Sequence, residues 1–436
     1  MRLVPLCLLV CACNGPDGPE PLPILTATID QPLAGAVVAV GDDLSFAGSV
    51  SWSDGLPFEG TVAWNSSLDG ELGSELAGTW STATAGEQML TFQATQGSDT
   101  AVAGVSVIVQ APAPAGLDRY GDDDGLPATT TYNDLKLRAD GTLLAATDAG
   151  LIAFDPELGA TIYTSADGLP DDRVLSVAED TFGVLWLGFD QIEGIEGQRF
   201  TLVDGVLTAG EVAHWDRTGE IFALYRIEIQ PYGPAAGDVW MGTNEGMCLF
   251  ERAESRLIEH GHPTHPHLPT YGLGFTTDAH AWNGDQHQLS RWDYDGDNNI
   301  FNDLVEIVPT WPVEEGELIS VTDLTVDADD TVWVTSSLFG VAKVEVATEV
   351  GASVVTLLTE PATAQSIGAT VEGNVFVGTA DGLTVLDSDD VATAIDTGLV
   401  PTDVQQLLVD PSTSPSTVWA ATPTTLVRMV GVPVSE

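Results

Sequence analysis

The sequence feature that most constrains the fold is a phrase of two alternating apolar runs joined by a short turn ending in glycine. Its clearest copy is VFVGTADGLTVLD, at residues 375–387. Apolar residues at every second position on both sides of such a turn indicate a β-hairpin. Further copies, some looser, begin at Leu143, Val184, Val239, His280, Val332 and Val418.

The spacing of these hairpins predicts the fold. Aligned on the second residue of each hairpin, the anchors are Leu144, Trp186, Trp240, Trp282, Trp333, Phe376 and Trp419. Successive anchors lie 42, 54, 42, 51, 43 and 43 residues apart. A period near 42 residues with four strands per unit is typical of β-propeller blades. We therefore predict an all-β chain with a seven-bladed propeller over residues 117–436 and insertions at 216–238 and around 293–299.

Two further elements complete each repeat. An apolar strand precedes the hairpin, and a DGLP-like turn precedes that strand, at residues 124–127, 167–170 and, in looser form, 396–401. This combination resembles the two-component regulator propeller repeat of extracellular sensor modules in bacterial hybrid histidine kinases. The resemblance covers about residues 116–431 and implies a propeller used for recognition.

The segment Leu117–Tyr120 has no hairpin of its own. We expect it to pair with the strand near Val427–Val430 as the outer strand of the last blade, which would leave no free sheet edge. The anchor tryptophans share one register of an alternating strand, so we expect them to pack between blades.

The N-terminus predicts export and lipidation. Residues 1–12 combine one basic residue with a short apolar run, as in a signal peptide. Val10-Cys11-Ala12-Cys13 resembles a bacterial lipobox, which implies a lipid on Cys13 and an outer-membrane anchor. Residues 13–23 then form a Pro/Gly-rich tether. The alternative is an ordinary secretory signal with incidental cysteines.

Residues 24–110 have a different character from the repeats. Their short alternating strands predict a β-sandwich, and VAWNSSLDG from Val62 resembles bacterial immunoglobulin-like or PKD-type modules. We expect Trp64 to anchor its core, and residues 111–116 to form a stiff linker. After cleavage only Cys13 and Cys248 would remain, so no disulfide framework is expected.

The formal net charge of −52 excludes whole classes of partner. Such a field repels nucleic acid and anionic lipid surfaces. The acidic residues are spread along the chain, which favours solubility as their role, and a cation-binding surface is the alternative.

Acidic residues in the turns are candidates for a ligand-binding face. Asp148, Glu245 and Asp381 occupy equivalent hairpin turns, and Asp167 and Asp171 lie in a DGLP turn. Propeller topology places both kinds of turn on one face. The alternative is that these side chains cap their own turns.

A histidine-rich loop is a candidate metal site. His260, His262, His265 and His267 form two pairs spaced two residues apart, so each pair would point the same way in an extended strand. Imidazole clusters suit Zn, Cu or Ni. The alternative is an exposed loop whose histidines only titrate.

Oxygen-rich side chains at Asp293, Asp295, Asp297 and Asn299 are candidate calcium ligands. Leu304 stands where an EF-hand would have its bidentate Glu, so that motif is excluded. An Asx-rich turn is the alternative to a calcium site.

These patterns together predict a non-enzymatic surface lipoprotein whose propeller binds or displays a protein, glycan or small molecule. The alternative is a metal-dependent lyase or hydrolase acting at the histidine-rich face, since fold alone does not decide function.

Overall fold

The structure is a computed structural model, and it describes residues 23–33, 36–82, 84, 86–110, 117–190, 197–213, 223–231, 236–251, 256–260, 269–293, 304–308, 319–349, 352–395, 397, 403–410, 412–413 and 415–430. The chain divides between Val109 and Gln110 into two compact units. Within the described ranges there is no helix with the length and apolarity needed to cross a bilayer.

The first unit consists of two antiparallel sheets. Its strands are β1 (Leu25–Gln31), β2 (Ala36–Ala39), β3 (Asp43–Trp52), β4 (Thr61–Ser66), β5 (Gly70–Gly73), β6 (Ala77–Ser81), β7 (Gly86–Gln96) and β8 (Asp99–Gln110). One sheet has the order β1-β3-β6 and the other β2-β8-β7-β4-β5. Both contribute to one apolar core, in which Trp64 is fully buried and stacks on Phe92 with ring centroids 4.6 Å apart.

The second unit contains seven four-stranded antiparallel sheets among the described residues. Strand β9 (Leu117–Tyr120) comes first in the chain. The first three sheets are β10 (Tyr132–Leu137), β11 (Leu143–Thr147), β12 (Gly150–Asp155), β13 (Gly159–Tyr163); β14 (Val174–Glu179), β15 (Val184–Phe189), β16 (Gly197–Val203), β17 (Val206–Ala213); and β18 (Leu224–Ile229), β19 (Val239–Thr243), β20 (Gly246–Glu251), β21 (Arg256–His260).

The remaining four sheets continue the same order along the chain. They are β22 (Thr270–Phe275), β23 (Ala281–Asp285), β24 (Leu289–Trp292), β25 (Leu304–Ile307); β26 (Val321–Val326), β27 (Val332–Ser336), β28 (Gly340–Glu345), β29 (Val354–Leu357); β30 (Ser366–Ala369), β31 (Val375–Thr379), β32 (Gly382–Leu386), β33 (Ala392–Ile395); and β34 (Gln406–Asp410), β35 (Thr417–Ala421), β36 (Leu426–Val430) with β9.

The recurring hairpin turn is held by its threonine and its glycine. In the first sheet, Thr147 Oγ1 donates to the Gly150 carbonyl at 2.8 Å and accepts from the Ala149 amide at 3.1 Å. Gly150 has a φ of 123°, a value that residues with a Cβ rarely adopt. A Cβ there would also lie 2.3 Å from the Tyr163 carbonyl oxygen. The Thr-x-x-Gly pattern therefore encodes the turn itself.

The DGLP turn is a short 3-10 turn followed by a buried leucine. In the first copy, residues Asp122–Asp124 form the turn, Gly125 adopts a left-handed conformation, and Leu126 is 4% exposed. Asp124 Oδ2 accepts from the Gly121 amide at 2.8 Å. The aspartate thus closes the turn, while the leucine fixes it to the sheets.

The hairpin anchors pack from each sheet onto the next. Trp186 belongs to the apolar cluster of Ile227 and Val239 in the following sheet, and Trp240, Trp282 and Trp333 repeat this arrangement. Trp419 of the last sheet packs on Tyr132 of the first. The expectation that these tryptophans pack between sheets is confirmed.

The ends of the second unit meet in the seventh sheet. Strand β9 pairs antiparallel with β36, with Tyr120 opposite Leu426 and Leu117 opposite Met429. This is the pairing expected from the sequence. The first strands of the seven sheets also contact one another in a cycle, from β10 through β34 and back to β10. They enclose a central channel.

Candidate functional site

Five charged side chains from three of the first strands meet in the central channel. They are Asp134 and Lys136 of β10, Arg226 and Glu228 of β18, and Asp323 of β26. These strands belong to the first, third and fifth sheets, so the contacts cross the ring rather than join neighbours. We call these five residues the channel cluster.

Arg226 is the centre of the channel cluster. Its Nη1 lies 3.3 Å from Asp134 Oδ1, its Nη2 lies 3.2 Å from Asp323 Oδ1, and its Nε lies 2.9 Å from a Glu228 oxygen. Three carboxylates thus surround one guanidinium. They raise the pKa of Arg226, although burial alone would lower it, so the guanidinium stays charged.

The two aspartates hold their positions by identical bonds. Asp134 Oδ1 accepts from the Leu135 amide, and its Oδ2 accepts from the Val177 amide of the next sheet at 3.1 Å. Asp323 repeats both bonds, to Leu324 and, at 3.1 Å, to Ile367. Each aspartate therefore links its sheet to the following one while it faces Arg226.

Burial sets the protonation behaviour of these carboxylates. Asp134 and Asp323 are only 1% and 2% exposed, and burial raises the pKa of both above the ordinary aspartate range. Glu228 differs, since Lys136 and Arg226 outweigh its burial and hold its pKa below the usual value. At neutral pH, Glu228 is therefore an ionised acceptor.

A cavity of about 430 Å³ adjoins the channel cluster. It lies where the first strands end, and six of the seven sheets contribute to its lining. Lys136, Arg226 and Glu228 line one side. Half-buried apolar side chains form most of the other side, among them Phe275, Val326 and Val409, and Asp327 follows Val326 there. Gly274 and Gly368 also form part of the lining, and a Cβ on either would lie too close to the next sheet, 2.5 Å from a Leu324 carbon and 2.7 Å from a Val409 carbon.

The candidate ligand-face acids lie elsewhere. Their turns precede the first strands or end the second strands, so they occupy the face opposite the ends of the first strands that line the cavity. Asp148 accepts hydrogen bonds from Asn133 at 3.0 Å and from Arg173 at 3.2 Å. Asp171 accepts from the Arg173 amide at 2.9 Å. The structure therefore brings Asp148 and Asp171 together around Arg173.

The other three acids on that face have local partners or are exposed. Asp167 accepts from the Thr164 amide at 3.0 Å within its own turn. Glu245 accepts from Asn244 at 3.0 Å. Asp381 is exposed, and its amide donates to Thr379. The bonds that Asp167 and Asp171 accept from backbone amides are those of side chains that cap their own turns, whereas Glu245 pairs with a side chain.

The candidate metal residues are mostly outside the described part of the chain. The backbone of His260 ends β21, whereas His262, His265 and His267 lie outside the described residues. Asp293 is described and exposed, whereas Asp295, Asp297, Asn299 and Cys13 are outside as well. Among the described residues, no three His, Cys, Asp or Glu side chains are grouped to hold a metal. Metal binding at these loops stays a prediction.

The channel cluster was not among the sequence candidates. The repeat spacing predicts an insertion at residues 216–238, but residues 224–229 inside that stretch form β18, which carries Arg226 and Glu228. A signal was present, because the chain has few cations and both Lys136 and Arg226 stand inside short apolar strands, although other cations such as Arg291 and Lys343 do so as well. A buried charge at such a position is costly unless it is paired, so these residues could have been chosen from the sequence as candidates for an ionic cluster.

Comparison with known proteins identifies the fold. No family model matches the chain, and no curated protein matches its sequence. Solved structures do match. Virginiamycin B lyase from Staphylococcus aureus aligns with a TM-score of 0.53 and 14% identity, over 72% of this chain and 99% of that one. The second unit has a β-propeller fold.

Two bacterial extracellular domains match the chain as well. The extracellular domain of a putative one-component system from B. thetaiotaomicron aligns with a TM-score of 0.56 and 15% identity, over 72% of this chain and 40% of that one. The extracellular domain of a putative hybrid two-component system from the same organism aligns with a TM-score of 0.56 and 14% identity, over 78% of this chain and 44% of that one. The chain thus spans less than half of those structures, and the likeness supports the resemblance seen in the repeats.

Proposed function

We propose that the propeller is a seven-bladed, non-enzymatic binding module whose ligand occupies the cavity beside the channel cluster. The observation that carries this proposal is the cavity of about 430 Å³, with ionic groups on one side and apolar side chains on the other. Small-molecule sites have this mixture and range over about 300–1,000 Å³. The volume therefore favours a small ligand.

A screen of small molecules by ligand-observed NMR tests this function. Ala369 lines the cavity and is half-buried, so Ala369→Leu fills the space without changing any charge. We expect the native protein to bind at least one class of small molecule and this variant to lose it. Binding that survives the substitution at full strength would place the ligand site elsewhere.

We further propose that the first unit is an immunoglobulin-like spacer and that a lipid on Cys13 anchors the protein to the outer membrane. The lipobox-like Val10-Cys11-Ala12-Cys13 and the two-sheet core around Trp64 support this. Two or more acyl chains give stable anchoring, whereas one chain binds only marginally. The intact mass of the mature protein tests it: an unmodified N-terminus at any other residue contradicts lipidation.

The enzymatic alternative rests on the histidine loop, His260 to His267, and on the fold likeness to a lyase. Such an enzyme would need a saturable Zn, Cu or Ni site that weakens as the histidines protonate. Calorimetry after thorough chelation tests this, and the absence of saturable binding would end the alternative.

A further inference from the structure

We infer that the cavity beside the channel cluster recognises a small zwitterion of the α-amino acid type with an apolar side chain. The inference rests on the proposed binding function and names the class of ligand. In this arrangement Glu228 receives the ligand ammonium and Lys136 receives the ligand carboxylate. The apolar wall of the cavity takes the ligand side chain.

One carboxylate oxygen of Glu228 is available to accept a hydrogen bond from a ligand. Lys136 Nζ, at 2.6 Å, and Arg226 Nε, at 2.9 Å, both donate to the same oxygen, Oε1. No described donor reaches Glu228 Oε2. The side chain lines the cavity and is 20% exposed, so this ionised oxygen is accessible from there. A ligand ammonium can donate to it without displacing either partner.

The ammonium of Lys136 has N–H donors available for a ligand. Its ammonium makes one short bond to Glu228, and its distance to Asp134 Oδ1 is 3.8 Å. An ammonium carries three N–H donors, so at least one remains for a ligand carboxylate. The side chain is 18% exposed and lines the same cavity.

The close spacing of these two groups selects a zwitterion. Because Lys136 Nζ and Glu228 Oε1 are 2.6 Å apart, a ligand that uses both groups must carry its own opposite charges close together, on groups bonded to the same carbon. An α-amino acid does so. A lone carboxylate would meet Glu228 and Asp327 in the lining, and a lone ammonium would meet Lys136 and Arg226. Like charges disfavour both single ions.

The net charge of the whole protein also favours a zwitterion over an anion. The formal charge of −52 repels an anion at long range, whereas a molecule with no net charge is not repelled. The opposite wall of Phe275, Val326 and Val409 then favours an apolar side chain, since it removes apolar surface from water.

Three aromatic probes that share a phenylethyl group test the inference. They are phenylalanine, 2-phenylethylamine, which lacks the carboxylate, and 3-phenylpropanoate, which lacks the ammonium. Calorimetry at neutral pH should show phenylalanine binding at least tenfold more tightly than either analogue. An analogue that binds as tightly as phenylalanine overturns the inference.

Two substitutions test which side chain binds the ammonium of the ligand and which binds its carboxylate. Glu228→Gln should weaken phenylalanine and 2-phenylethylamine at least tenfold and leave 3-phenylpropanoate unweakened. Lys136→Met should weaken phenylalanine and 3-phenylpropanoate and leave 2-phenylethylamine unweakened. The matched controls are Glu157→Gln, at an exposed turn, and Lys343→Met, the other lysine of the chain. They change the net charge equally and should leave all three affinities as they are.

The cavity-filling Ala369→Leu separates failure of the ligand class from failure of the binding function. It keeps the channel cluster intact, so it remains informative if Glu228→Gln does not fold. If the two single-charge probes bind and Ala369→Leu removes them while phenylalanine does not bind, the zwitterion is wrong and the binding function stands. If none of the probes and no compound of the NMR screen responds to Ala369→Leu, both are wrong.

Discussion

Arg226 shows how much one side chain contributes to this ring. It connects Asp134 of the first sheet to Asp323 of the fifth, two carboxylates that are almost completely buried. Removing the partner of a buried charge is costly because the remaining charge has neither water nor a counter-ion. Arg226 is therefore a structural bridge as well as part of the cavity wall.

We expect Arg226→Met to lower the free energy of unfolding by roughly 3–5 kcal/mol, the usual cost of breaking a buried ion pair. Arg173→Met is the control, because Arg173 also pairs with two aspartates but is 51% exposed. Exposed pairs contribute about 0–1 kcal/mol. Chemical denaturation measures both variants, and equal losses would contradict the bridge.

Tyr132 should make the protein sensitive to alkali. It is 2% exposed, and burial raises the pKa of its hydroxyl well above the ordinary value. The unfolded chain ionises this tyrosine near pH 10, as free tyrosines do, whereas the folded chain keeps it neutral. Its contribution to stability is thus complete below about pH 10 and is lost as the pH rises further.

The free energy of unfolding should therefore fall above about pH 10, and less steeply in Tyr132→Phe. One such tyrosine accounts for up to about 1.4 kcal/mol per pH unit. Denaturation at several alkaline pH values measures this. The tyrosines at 120, 163, 225 and 271 also have raised pKa values, so the variant keeps part of the slope. An unchanged slope would show that Tyr132 ionises in the folded state.

At the scale of elements, β9 decides whether the ring has a free edge. It is the fourth strand of the last sheet, and Leu117 is buried in the same cluster as Val427 and Met429. Without β9, the backbone groups of β36 that face it would lose their partners. An unpaired edge strand is a template for aggregation.

Two truncations isolate this effect. A chain that starts at residue 110 keeps β9, and one that starts at residue 121 lacks it. We expect the shorter chain to aggregate and to melt at a lower temperature, as measured by light scattering and calorimetry. Equal behaviour of the two would mean that β9 contributes nothing to closure.

The elements also show what can be predicted from the sequence. The hairpins, the threonine–glycine turns and the β9–β36 pairing follow from local patterns, because alternation and turn chemistry act within a few residues. The channel cluster does not, because it joins Asp134 to Asp323 through the curvature of the ring. The charged residues of β10 and β18 do alternate with buried apolar residues, but alternation within one strand does not show which strands meet across the channel.

At the scale of the whole molecule, the net charge of −52 opposes compaction. The screening length falls from about 10 Å at 0.1 M salt to about 3 Å at 1 M. We therefore expect the melting temperature to rise with sodium chloride. Calcium chloride at equal ionic strength is the control: a larger rise with calcium would favour the cation-binding surface over simple solubility.

The pairing of β9 with β36 also fixes an order of events during synthesis. Tyr120 leaves the ribosome long before its partner Leu426 has been made. Domains fold progressively as they are synthesised, and contacts far apart in sequence form slowly. Strand β9 therefore lacks its pairing partner, and the backbone groups that face β36 stay unpaired, until almost the entire chain has been made. A chain released before residue 426 has been made therefore lacks the partner of β9, and its ring cannot close.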